Sequence, residues 1–64
     1  MTVREVIRIL GDNGWQMVRQ RGSHRQFRRA GEVAVITVAG HLGSEVPSGT
    51  LANIWRQAGL KGQR

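Results

Sequence analysis

The dipeptide Gly22-Ser23 divides residues 15–29 into two strand-like segments and dictates how they can pair. Glycine in the first central position of a two-residue connection is the signature of a type II′ hairpin, where φ must be positive. Residues 15–21 and 24–29 then run antiparallel, with Arg21 opposite His24, Arg19 opposite Gln26, Val18 opposite Phe27 and Met17 opposite Arg28. Opposed residues share a face, and neighbours along a strand alternate between faces. Val18 and Phe27, the large apolar residues of this hairpin, are expected to face the core. The other face carries Arg19, Arg21, His24, Gln26 and Arg28, with Met17 at its edge and no acid among them.

Helical periodicity flanks this hairpin. Thr2-Val3-Arg4-Glu5 reads as a capping box, and Val3, Val6, Ile7 and Leu10 form one apolar stripe of a helix over about 3–13. Gly14 supplies a left-handed stop. After a turn at Ala30-Gly31-Glu32, the β-branched run Val33–Val38 is the strongest strand signal in the chain. A loop over 39–47 follows. Ser48 is the expected N-cap of a second helix over about 49–58, with Leu51, Ile54, Trp55 and Ala58 as its stripe. Gly59 and Leu60 fit a Schellman ending, and a frayed tail is expected over 61–64. The fold class is α+β, in the order α-β-β-β-α. A three-stranded antiparallel sheet carrying both helices on one face is the economical packing, because each helix has a single stripe to bury.

Sixty-four residues make one domain, 1–64, near the lower limit for folding without a staple. The absence of cysteine excludes disulfides and thiolate metal sites. Apolar runs are far shorter than the roughly 18 residues a membrane span needs, and no secretory pattern opens the chain. A soluble, cytoplasmic protein without a membrane partner is expected. Ten Lys and Arg against four Asp and Glu give a formal charge of +6, and nine of the ten cations are arginine. The planar guanidinium fork suits phosphate, so a nucleic acid is the first partner to consider, against the plainer alternative of a merely solubilising basic surface.

Histidine titrates near neutrality, with an ordinary pKa of about 6.5, and so can act as base or acid there. RNA brings its own nucleophile, the 2′-hydroxyl beside the scissile phosphate. A positioned His24 with stabilisation from arginine forks is therefore sufficient chemistry to cleave RNA without a metal. The plainer alternative for a surface histidine is that it does nothing. Glu5, Asp12, Glu32 and Glu45 are scattered, and no His or Cys pair has zinc spacing, so neither a metal site nor a small-molecule cofactor is expected.

The stretches Gly14-Trp15, Arg19, "GSHRQF" at 22–27, "TV" at 37–38, His41, "GTL" at 49–51 and "QAGL" at 57–60 occur in order over nearly the whole chain. Together they resemble the HicA family of toxin ribonucleases. The resemblance implies a fold like the double-stranded RNA-binding domain, endoribonuclease activity on mRNA, and inhibition by a HicB-type antitoxin protein. It implies that His24 is the catalytic residue, positioned by the turn Gly22-Ser23. Arg19, Arg21, Gln26, Arg28 and His41 are the expected RNA-binding residues; His41 is open between a second acid or base, an RNA contact and a loop cap. The alternative function is a non-catalytic double-stranded RNA-binding module or a partner-binding protein.

Overall fold

A computed structural model describes residues 1–60. Its order is α1 (Val3–Asp12), β1 (Gln16–Arg21), β2 (His24–Arg28), β3 (Ile36–Ala39) and α2 (Ser48–Ala58). The strands form one antiparallel sheet in the order β1-β2-β3. Phe27, Ile36 and Val38 of the sheet are buried together with Val3, Val6 and Leu10 of α1 and Ile54, Trp55 and Ala58 of α2. Both helices thus cover the same face, as the single stripes require; Ile7 and Leu51 complete those stripes as partly buried residues.

The start of α1 follows its local code. The Thr2 hydroxyl accepts from the Glu5 N–H at 3.3 Å, and the Thr2 N–H donates to Glu5 Oε1 at 2.9 Å. Two further N–H groups of this first turn are satisfied from outside the helix: Val3 donates to the Ser44 carbonyl and Arg4 to the Leu42 carbonyl. The 40–47 loop therefore acts as a second cap on α1. These bonds hold the Glu5 carboxyl below its ordinary value of 4.5, chiefly through the Thr2 N–H and then through its hydroxyl. A lowered folded-state pKa means this stability is present above 4.5 and disappears as pH falls through the depressed value. Wild type should accordingly melt above Glu5→Gln at neutral pH, with the gap in Tm closing on acidification below 4.5; a constant gap would refute this.

Four details differ from the sequence expectation. The hairpin keeps the expected pairing at its turn end, Arg21 with His24, Gln20 with Arg25 and Arg19 with Gln26, and then shifts by one residue. Beyond the shift, Met17 pairs with Phe27 and Gln16 with Arg28, leaving Val18 as a β-bulge. Val18 does not face the core; it is 56% exposed, and Met17 is 50% exposed on the helix side of the edge strand. The reason lies one turn back. Trp15 and Arg19 have the same parity, so a regular strand would put both on one face. The inserted residue swaps the faces between them, burying Trp15 to 1% exposure while leaving Arg19 and Arg21 outside.

The third strand begins at Ile36 rather than Val33. Phe27 pairs with Ile36, and the turn after β2 takes up the next residues, with Glu32 N–H bonded to the Arg29 carbonyl. Residues 33–35 are left without a partner strand, and Val33 is 94% exposed: β-propensity without a ladder makes no strand. The strand gains Ala39 at its other end, opposite His24, so the loop starts one residue later than expected. Finally, Ser48 is the first helical residue of α2, not its N-cap. Pro47 caps the helix in an extended conformation, its carbonyl accepting from the Leu51 N–H, and no side chain caps this end. The C-terminal end conforms: Gly59 is left-handed at φ 72°, and Leu60 N–H bonds to the Trp55 carbonyl at 2.8 Å. The tail expected to fray from Lys61 lies outside the described residues.

Candidate functional site

The face of the sheet opposite the helices is uncovered. Alternation brings Arg19 and Arg21 of β1, His24, Gln26 and Arg28 of β2, and Thr37 and Ala39 of β3 onto it. Five of these, Arg19, Arg21, His24, Gln26 and Thr37, line a shallow hollow of about 250 Å³. Cross-strand pairing sets their order. Arg21 stands directly opposite His24, Arg19 opposite Gln26, and Gln26 in turn opposite Thr37. His24 is exposed at the first position of β2, and its partner on the β3 side is the small Ala39, which leaves one flank of the ring open.

The local sequence accounts for this arrangement. Gly22 adopts φ 58°, the positive value that the tight turn requires, and a methyl group there would meet nothing within 4 Å. The Gln20 side chain donates to the Gly22 carbonyl at 3.1 Å and braces the turn. Ser23 contributes its backbone carbonyl, which accepts from the Gly40 N–H at 3.1 Å. The start of β2 is thereby tied to the end of β3.

The hollow holds two guanidinium groups, an imidazole, an amide and a hydroxyl, and no carboxylate. Among the described residues, the only side-chain ion pair is Arg29 with Glu32, so Arg19, Arg21 and Arg28 face solvent without an acid to neutralise them. Among the same residues, no three His, Cys, Asp or Glu side chains cluster as a metal-ligand set would. No described helix is long and apolar enough to cross a membrane.

Sequence pairing brought Arg19, Arg21, His24 and Gln26 together, and the structure does the same. Arg28 shares their face but stands outside the hollow, at the far end of β2. His41 is exposed in the loop after Gly40, its carbonyl accepting from Ser44 N–H, and it does not line the hollow. Thr37 was not among the expected site residues. Its place follows from the β2–β3 register, on which the first hairpin is silent. Arg25 and Arg29 lie apart from the open-face arginines. Arg29 stacks over the Trp15 ring at 4.8 Å and donates to the Asn13 carbonyl, closing the α1–β1 corner.

Fold and face together define a small, strongly basic α+β domain whose bare sheet surface holds a histidine among arginines. Residues 3–60 match the family described as the HicA toxin of bacterial toxin–antitoxin systems. The chain belongs to that family, and membership implies a cognate antitoxin as partner. No curated protein matches the chain.

Proposed function

We propose that this toxin is an endoribonuclease that binds mRNA on the open sheet face and cleaves it with His24 as general base. The single observation that carries the reading is the hollow in which His24 lies beside Arg19, Arg21, Gln26 and Thr37 with no carboxylate present. Phosphate is the ligand such a surface favours, because guanidinium forks make charge-assisted bonds to its oxygens. In the proposed step the imidazole takes the proton of the 2′-hydroxyl, and the bond between that oxygen and phosphorus forms. The bond from phosphorus to the 5′-oxygen breaks, and the leaving oxygen is protonated by the imidazolium or by solvent. Arg19 and Arg21 stabilise the extra negative charge on the phosphoryl oxygens as the new bond forms. Gln26 and Thr37 are neutral, directional hydrogen-bonding groups suited to holding the ribose or a base edge. The antitoxin inhibits by covering this face.

The test is incubation of the purified protein with mRNA in EDTA. Cleavage leaving 2′,3′-cyclic phosphate ends supports the reading. Tight binding with no cleavage would point to a non-catalytic double-stranded RNA-binding module instead, and cleavage that requires added metal would remove the proposed step.

The contribution of Arg19 is electrostatic on this reading. Arg19→Ala should weaken RNA binding by a similar factor for unrelated sequences and lower the slope of log K against log salt by about 1. Titrations of RNA binding at several salt concentrations read this directly. An unchanged slope would take Arg19 off the RNA surface.

A further inference from the structure

Arg25 is adjacent to His24 in sequence but projects to the other side of the sheet. It shares the face of Phe27 and pairs with Val38, and it is partly buried. Its guanidinium cannot join Arg19 and Arg21 around a ligand in the open hollow. It is occupied by two backbone carbonyls: Nη1 donates to the Gly40 oxygen at 2.9 Å and to the Ser23 oxygen at 3.3 Å. The Ser23 oxygen also accepts from the Gly40 N–H at 3.1 Å. One cation therefore closes a knot of three hydrogen bonds joining the hairpin turn to the exit of β3.

We infer that Arg25 is a positioning residue for His24, acting through the backbone and not through RNA; the inference rests on the reading of His24 as the acid–base group. The physical link is short. The Ser23 carbonyl belongs to the peptide plane that carries the His24 N–H. Holding that oxygen orients the plane and, with His24 paired to Arg21 and Ala39, limits φ of His24 and the direction of its Cα–Cβ bond. His24 begins β2 directly after the turn, so Arg25 adds to the Gly40 N–H bond and the Gln20 brace that hold the chain on that side. The acceptor at Gly40 is itself set by a glycine-only conformation: φ is 114°, and an added Cβ would meet Val3 Cγ2 at 3.4 Å. The arginines of the hairpin thus divide by face into those offered to a ligand and one spent on the scaffold. Arginine suits this task because two donors on one nitrogen reach two carbonyls in fixed geometry.

Two measurements on the full chain separate this inference from the reading beneath it. Amide hydrogen exchange by NMR should show Gly40 exchanging at least about tenfold faster in Arg25→Met than in wild type. Arg25→Lys should recover part of the protection, because an ammonium reaches one carbonyl. In cleavage assays on folded protein, Arg25→Met should lower kcat on the order of 10- to 100-fold, the scale of a misplaced catalytic group, with KM and the salt slope unchanged. Arg25→Lys should fall between the two, and it carries the comparison alone if Arg25→Met does not fold. Unchanged Gly40 exchange, or a raised KM with kcat intact, would overturn the positioning role. Full cleavage by His24→Ala would instead overturn the reading of the site, with the exchange result still deciding whether the clamp exists.

Discussion

Replacing His24 with alanine should lower RNA cleavage by roughly 10²- to 10⁴-fold, the usual contribution of a positioned acid–base group. The fold should be indifferent to this change. His24 is exposed, stands at a strand end opposite Ala39, and contributes nothing to the buried cluster. RNA affinity should also survive, because the phosphate contacts belong to guanidinium groups that the substitution leaves in place. The informative pattern is therefore a collapse in kcat with an unchanged melting curve and binding within a few-fold of wild type. His24→Gln keeps a polar side chain of similar length without a titrating nitrogen and should be nearly as inactive. Undiminished cleavage by either variant would remove His24 from the chemistry.

The largest effect on stability is expected at Trp15. Its side chain is 1% exposed and is one of the largest in the core, and truncating a buried Trp to Ala typically costs about 3–5 kcal/mol. Small domains hold only about 5–15 kcal/mol in total, so Trp15→Ala should be largely unfolded well below the wild-type Tm. The loss extends beyond area, because Arg29 forfeits the ring it stacks on while still bonded to Asn13. Trp15→Phe is the milder comparison: it keeps an aromatic face and deletes an indole N–H that has no hydrogen-bond partner in the fold. Thermal or urea unfolding of both variants checks the ranking, and a near-native Trp15→Ala would mean the indole is not a keystone of the core.

Trp15 also explains why part of the structure was legible from sequence and part was not. Local codes read well where one residue type answers one geometric demand: Thr2 with Glu5, Gly59 with Leu60, Gly22 at the hairpin turn. The hairpin face near that turn followed from pairing, so Arg19, Arg21, His24 and Gln26 could be grouped in advance. Further from the turn, Val18 on one parity and Trp15 with Met17 on the other are all apolar, and alternation cannot choose between them. The core chooses the larger ring and expels Val18. Val33 and Val35 misled for a related reason, since strand propensity states a preference and only a neighbouring strand satisfies it. Thr37, and the Gly40 carbonyl that Arg25 bonds, needed the second pairing of β2, which no short-range signal announces. Alternation puts Arg25 on the face opposite His24, but neither it nor the family resemblance could say that the guanidinium bonds the Ser23 and Gly40 carbonyls.

The bulge that resolves the contest between Val18 and Trp15 has an effect on the outer border of the sheet. β1 is one of the two end strands, and an unbroken end strand invites a foreign chain to dock alongside it and keep adding layers. At Val18 the spacing of outward amide groups falls out of step, so a straight incoming segment cannot match donors to acceptors along the whole length. Arg19 and Arg21 lie just beyond the interruption and repel another molecule carrying the same charges. One surplus residue thus seats the indole and breaks the regular hydrogen-bonding row along this margin of the sheet.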